Sequence, residues 1–112
     1  MNRSSRTRRS GVVTLPGSTA QYVRILRRHL PMLRHLYRVR SLGVFGSYVR
    51  GEQRRGSDLD VLVDFNRPLG LFKFIELEHE ISRLLGVKVD LVMKDALKPT
   101  VGKRILDEVV QV

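Results

Sequence analysis

The stretch SDLDVLVDF, residues 57–65, constrains the fold most, because acidic and apolar residues alternate along it. An alternation with a period of two is typical of a β-strand with one face in a protein core. The two faces divide as Leu59, Val61, Val63 and Phe65 against Asp58, Asp60, Leu62 and Asp64. Aspartate is a poor strand former, and a half-buried carboxylate costs free energy unless something positive meets it. The stretch therefore predicts a strand whose acidic face needs a cation.

The segments around this strand alternate between helical and strand periodicity. GST at 17–19 offers an N-cap to an amphipathic helix, although Pro31 should kink that helix or start a second helical segment. The apolar stripe of this helix is Tyr22, Val23, Leu26, Leu30, Leu33 and Tyr37. A further helix, Leu71 to Leu85, ends at Gly86, as helices commonly end at glycine. Its apolar spacing begins at Leu71, and we expect Leu71 and Phe72 in the core.

The remaining elements complete a small sheet. We predict strands over 40–47 and 87–93, a short turn or helix over 47–53, a helix from about Pro99 to Asp107, and a terminal strand over 108–112. The order α-β-α-β-α-β-α predicts an α/β or α+β domain built on a small sheet. A chain of 112 residues is long enough for one such core.

The basic residues are unevenly distributed along the chain. Residues 1–40 hold ten arginines and no acid, whereas residues 41–112 hold 11 basic and 11 acidic residues, so the net charge of +10 comes from the first forty. This asymmetry favours a polyanionic partner such as nucleic acid, or an acidic protein surface; a solvated arginine-rich face explains it equally well. Residues 1–17 lack apolar periodicity, which predicts a disordered basic tail before a domain over 18–112.

Composition also limits the cellular setting. The chain has no cysteine, so disulfides and thiolate metal sites are excluded. No run of about 18 apolar residues predicts a membrane span, and no apolar segment follows the basic N-terminus as it would in a secretory signal. We therefore expect a cytoplasmic protein that does not enter membranes.

Three acidic residues have the spacing of metal ligands. Asp58 and Asp60 leave the same face of one strand, with their Cα atoms roughly 6–7 Å apart, and hard oxygen ligands suit Mg²⁺ or Mn²⁺. Asp64 lies roughly 13 Å from Asp60 along the strand, too far to share an ion. A third ligand must come from a neighbouring strand, and Asp90 is the only acid inside another predicted strand. The alternative for a lone Asp-x-Asp pair is a solvated strand face.

Gly46 and Ser47 end the first strand and lead into a helix-like turn. Such a turn presents backbone N–H groups and a hydroxyl to an anion, and Arg50, Arg54 and Arg55 can add positive charge near phosphates. Taken alone, an ordinary Gly-Ser turn explains the pair as well. Together with the metal-binding carboxylates, it describes a site for a nucleoside triphosphate–metal complex.

Gly46-Ser47, ten intervening residues and Asp58-x-Asp60 resemble the signature of the nucleotidyltransferase superfamily that includes DNA polymerase β. From about residue 20 to residue 112 the chain resembles the minimal nucleotidyltransferases of bacteria and archaea. The resemblance implies a small mixed β-sheet flanked by helices. It also implies a nucleotidyltransferase that uses ATP and two Mg²⁺ ions.

The resemblance assigns a role to each site residue. Gly46 and Ser47 would hold the triphosphate, and Arg50 and Ser57 are assigned to nucleotide binding with them. Asp58 and Asp60 would bind the metals, and Asp90 matches the third carboxylate, which orients or activates the attacking hydroxyl and completes the metal-binding set.

The resemblance also implies a partner. Minimal nucleotidyltransferases of this type pair with HEPN-type ribonuclease toxins, and the small protein acts as an antitoxin that transfers AMP to its partner. The chain has no room for an acceptor-binding domain, so we expect the partner to supply the acceptor. The alternative is a non-catalytic antitoxin or binding module that acts by contact with a protein, or with nucleic acid through its basic N-terminal region.

Overall fold

The computed structural model describes residues 18–112, and the predicted tail over 1–17 lies outside the described residues. A short 3₁₀ turn, Lys94–Ala96, follows the third strand. The helices and strands are α1 (Thr19–Tyr37), β1 (Val39–Phe45), α2 (Ser47–Arg50), β2 (Leu59–Phe65), α3 (Leu71–Leu85), β3 (Val89–Met93), α4 (Pro99–Glu108) and β4 (Val110–Gln111).

The four strands form one mixed sheet in the order β3-β2-β1-β4. Strand β1 runs antiparallel to both β2 and β4, whereas β2 and β3 are parallel and are joined by the crossover helix α3. Parallel neighbours need such a crossover, which is commonly a helix. The expected fold class, a small mixed sheet flanked by helices, is confirmed.

Helix α1 buries the predicted stripe, and its buried residues are Tyr22, Val23, Leu26, Leu30, Leu33 and Tyr37. Ser18 caps it by accepting a hydrogen bond of 3.2 Å from the Gln21 N–H, as an N-cap residue commonly does. The helix runs unbroken through Pro31, so a second helical segment, one of the two predicted effects of this proline, does not form. Pro31 is exposed, and packing on the opposite side holds the helix together although one backbone hydrogen bond is lost.

The apolar face of β2 lies in the core, since Leu59, Val61 and Val63 are fully buried. Helix α1 packs on β1 and on α3, and α3 packs on β3, so both helices cover this face of the sheet. The opposite face carries Asp60 and Asp64, which are only partly buried. The predicted alternation is therefore correct, and the acidic face is accessible at its aspartates, although Leu62 between them is buried.

The first turn of α3 departs from the sequence expectation. Leu71 is 70% exposed and Phe72 is 87% exposed, although both were expected in the core; the buried residues of α3 are Leu77, Ile81 and Leu85. Periodicity shows which residues share a helix face, but not how far a neighbouring element covers that face. Among residues 18–112, no helix has the length and apolar character needed to cross a membrane.

Candidate active site

The turn after β1 requires glycine at position 46. Gly46 has φ 84° and ψ −154°, a conformation that is essentially restricted to glycine. A Cβ atom at this position would also lie 3.0 Å from Cγ of Asp60 and would collide with its Oδ2 atom. The carboxylate of Asp60 is therefore packed against the backbone of the Gly46-Ser47 turn.

The N-terminal end of helix α1 contacts the residue that follows this turn, Tyr48. The Thr19 hydroxyl donates a hydrogen bond of 3.0 Å to the Tyr48 carbonyl, and the rings of Tyr22 and Tyr48 meet edge to face with centroids 5.8 Å apart. Edge-to-face aromatic pairs add to the stability that burial alone provides. The turn is thus held between the N-terminal end of α1 and the sheet.

Strand pairing brings two of the predicted acids together. Asp60 in β2 and Asp90 in β3 are direct partners in the parallel register, and Asp58 lies just before the start of β2. Partial burial raises the pKa of Asp60, and the negative charges of Asp90 and then Asp58 raise that pKa further. The three carboxylates therefore repel one another, which is the situation that a bound cation relieves.

The three predicted metal-binding acids form no ion pair among the described residues. None of Asp58, Asp60 and Asp90 forms an ion pair with a lysine or arginine of residues 18–112, whereas Asp64 lies 3.5 Å from Arg40. In the same residues, no three acidic or histidine side chains stand close enough to hold a metal alone. Mg²⁺ is usually held by one or two carboxylates together with substrate phosphates, so this donor set fits a metal that arrives with a nucleotide.

The other two predicted nucleotide-binding residues are engaged within the protein. Arg50 forms hydrogen bonds with Glu52 and Glu108, and these contacts raise the pKa of its guanidinium, which stays charged. The Ser57 hydroxyl accepts a hydrogen bond of 2.8 Å from the Arg54 N–H, while its N–H donates to the Arg54 carbonyl at 2.9 Å. These two hydrogen bonds close the turn from Arg54 to Ser57, and Asp58 follows directly after it, before β2.

Sequence reasoning missed the contribution of Glu108, at the end of helix α4. A cavity of about 240 Å³ lies between α4 and the turn; it is lined by Gly46, Arg50 and Asp60 on one side and by Val101, Arg104, Ile105 and Glu108 on the other. The Glu108 carboxylate accepts a hydrogen bond of 2.7 Å from the Gly46 N–H. No local sequence pattern predicts this contact, because Gly46 and Glu108 are 62 positions apart in the chain.

A β-strand, a glycine-serine turn and an antiparallel second strand with two carboxylates at its start define the core of a polymerase β-type nucleotidyltransferase. The geometry and the comparisons agree on this class of protein. A family model described as a nucleotidyltransferase domain matches residues 26–112. The chain belongs to this family, and within it to the minimal nucleotidyltransferases.

Individual relatives support the same assignment. The chain is 54% identical over 88 residues to the protein adenylyltransferase MntA of Thermococcus cleftensis. This alignment covers 79% of this chain and 89% of the relative. A solved minimal nucleotidyltransferase aligns with a TM-score of 0.63 and 36% identity over 83% of this chain and 90% of its own.

A second solved structure shows the fold alone, because it is only 20% identical. It is a tri-AMPylated HEPN toxin of Shewanella oneidensis in complex with its MNT antitoxin, aligned with a TM-score of 0.54 over 84% of this chain and 67% of its own.

Proposed function

We propose that this nucleotidyltransferase transfers AMP from ATP to a hydroxyl group of a partner protein, in a reaction that depends on Mg²⁺. We further propose that the partner is a HEPN-type toxin and that the chain is its antitoxin. The name of the Thermococcus relative and the AMPylated toxin in the Shewanella complex support this proposal. The reaction would take place in the cytoplasm, where ATP is available.

One observation carries the proposal: the carboxylate of Asp60 touches the Gly46 backbone. A group suited to a divalent metal and a turn suited to a phosphate are therefore in contact. Within the described residues, the Ser47 N–H and hydroxyl have no hydrogen-bond partner on the protein, so both are available to a ligand. Triphosphate oxygens bound at this turn would lie beside the carboxylates.

Each proposed site residue has a separate task. Asp58 and Asp60 would hold Mg²⁺ together with oxygens of the triphosphate, and Asp90 would complete the set once the nucleotide is bound. A bound Mg²⁺ supplies charge neutralisation and makes a coordinated hydroxyl more acidic. Ser47 and Arg50 would bind the triphosphate and align it for attack, and alignment of this kind is a large part of catalysis by positioning.

The transfer itself exchanges one bond to phosphorus for another. The partner's hydroxyl oxygen bonds to the α-phosphorus of ATP, and the bond from that phosphorus to the oxygen bridging it to the β-phosphate breaks. Pyrophosphate leaves with the electron pair of the broken bond. Asp90, the register partner of Asp60, would orient the hydroxyl and receive its proton.

Incubation with a HEPN-type protein encoded next to this chain tests the proposal. With ATP labelled at the α-phosphate and Mg²⁺, we expect label on the partner and a mass increase of one AMP. With the label at the γ-phosphate the partner should stay unlabelled, which distinguishes AMP transfer from phosphorylation. A chelator should stop the reaction. Absence of label from the α-position, with both proteins folded, would refute the proposal.

A second candidate activity, nucleic-acid binding, rests on the outer face of α1. The helix carries four exposed arginines and no acid. Within the described residues none of them pairs with an acidic side chain, although Arg27 donates a hydrogen bond of 3.4 Å to the Val112 carbonyl. The helical repeat of 100° per residue places all four within about 120°. The four are Arg24, Arg27, Arg28 and Arg34. A stripe of this kind suits a row of phosphates.

Binding to a fluorescent RNA or DNA oligonucleotide tests this stripe. If it contacts phosphates, affinity falls steeply with salt, because each neutralised phosphate releases counterions. Replacing Arg24, Arg28 and Arg34 by glutamine should then lower the slope of log Kd against log salt by roughly two to three. Arg83→Gln, which removes an exposed arginine paired with Glu80, is the matched control. An unchanged slope in the triple variant would remove the stripe from consideration.

A further inference from the structure

Glu108, the last residue of α4, reaches two groups of the nucleotide site. One carboxylate oxygen accepts the hydrogen bond from the Gly46 N–H at 2.7 Å. Both oxygens lie close to Nη1 of Arg50, at 3.0 and 3.1 Å. The Glu108 side chain is 25% exposed and the Arg50 side chain 46% exposed. The contact with the buried Gly46 N–H is therefore shielded from water, whereas the pair with Arg50 is open to solvent on the arginine side.

A second acid on Arg50 behaves differently. The Glu52 carboxylate accepts a hydrogen bond of 2.9 Å from Nε of Arg50, but this side chain is 64% exposed. Glu52 contacts the turn only through its backbone N–H, which donates a hydrogen bond of 2.8 Å to the Ser47 carbonyl. Two carboxylates therefore contact the same guanidinium, and only Glu108 links it to the backbone of Gly46.

The donors that Glu108 uses are not those proposed to receive the phosphates. It occupies the Gly46 N–H, whereas the Ser47 N–H and hydroxyl have no partner among the described residues. On Arg50 it contacts Nη1 only, which leaves Nη2 with two N–H groups for a phosphate. Glu108 therefore orients the Gly46 N–H and Nη1 of Arg50 without using the Ser47 donors or Nη2 of Arg50, which are the groups proposed to bind phosphate.

We propose that Glu108 is a positioning residue for the triphosphate, acting through Arg50 and Gly46. Without it, a buried backbone N–H loses its acceptor and a long, exposed guanidinium loses the partner that orients it. The triphosphate would then have to order both groups on binding. This inference rests on the proposed nucleotide site, and it adds a residue from the far end of the domain to that site.

Three variants separate positioning from a purely structural role. Glu108→Ala removes both contacts, Glu108→Gln keeps an acceptor for Gly46 without the charge, and Glu52→Gln is the control. With the fluorescent analogue mant-ATP and Mg²⁺, we expect Glu108→Ala to weaken binding by about tenfold and Glu108→Gln by less. Glu52→Gln should stay within about twofold of the unmodified protein, as expected for an exposed pair.

A double-mutant cycle tests the route of action. If Glu108 works through Arg50, Glu108→Gln should lose most of its effect on mant-ATP binding once Arg50 is alanine. A structural role would instead lower the melting temperature while leaving the Kd unchanged at lower temperature.

Two outcomes would overturn the inference. One is a folded Glu108→Ala variant that binds mant-ATP as tightly as the unmodified protein. The other is tighter binding, which would make Glu108 a competitor of the triphosphate. Failure of the nucleotide site itself is distinguishable, because the unmodified protein would then bind no mant-ATP.

Discussion

Joint replacement of Asp58 and Asp60 by asparagine should lower AMP transfer by about a thousandfold or more, because the two proposed metal-binding carboxylates disappear together. Asparagine has nearly the shape of aspartate, so packing against Gly46 is kept. The measurement is the initial rate of AMP incorporation into the partner at saturating ATP and Mg²⁺. Transfer at an unchanged rate would end the enzymatic account.

The same double variant should remain folded and be at least as stable without metal. Burial and the neighbouring acids raise the pKa of Asp60 in the folded protein. A raised folded pKa means that the folded state binds this proton more tightly than the unfolded state, so ionisation of Asp60 at neutral pH lowers the free energy of unfolding. Asparagine removes that charge. We therefore expect a melting temperature at neutral pH that is equal or higher.

Asp64 provides the matched control for this variant. It lies on the same strand and the same face as Asp60, but it pairs with Arg40. Asp64→Asn should keep nearly full transfer activity. If the double variant still neutralises its toxin without adding AMP, the protein acts by contact, as a non-catalytic antitoxin would.

Replacement of Gly46 by alanine should have the second largest effect, on folding and on nucleotide binding together. Its backbone conformation costs a non-glycine residue roughly 1–3 kcal/mol, and the new Cβ would collide with Asp60, which overpacking data put at about a further 1–3 kcal/mol. Relief of the collision must move Asp60 or the turn. We expect a markedly lower melting temperature and loss of mant-ATP binding.

Gly56 separates the two causes. It also has a positive φ, 85° against 84° for Gly46, but a Cβ there would meet nothing within 4 Å. Gly56→Ala should therefore show a backbone cost without a collision, and it should still bind mant-ATP. Equal loss of binding in both variants would mean that the contact between Gly46 and Asp60 is not what the site depends on.

Local patterns in the sequence were enough to predict most of the fold. The apolar stripe of α1, the alternation of β2 and the end of α3 at Gly86 are each determined by residues a few positions apart, and the structure confirms them. The pairing of Asp60 with Asp90 requires one further condition, that β2 and β3 be neighbours in register. The functional roles of all the predicted site residues stay predictions: Gly46, Ser47, Arg50, Ser57, Asp58, Asp60 and Asp90.

The features that were missed depend on contacts between distant parts of the chain. Glu108 reaches Gly46 because the chain end returns alongside β1, where β4 pairs with it. Periodicity of α4 carries no information about that return. The burial of Phe72 was wrongly predicted for the same reason, since its exposure depends on how far the neighbouring elements extend over the first turn of α3.

The most direct test of the central claim is the location of Mn²⁺ by anomalous diffraction, in crystals grown with a non-hydrolysable ATP analogue. We predict Mn²⁺ in direct contact with Asp58 and Asp60, and the triphosphate on Ser47 and Arg50. The analogue and Mn²⁺ bound away from these residues, with the two aspartates still unpaired, would contradict the account.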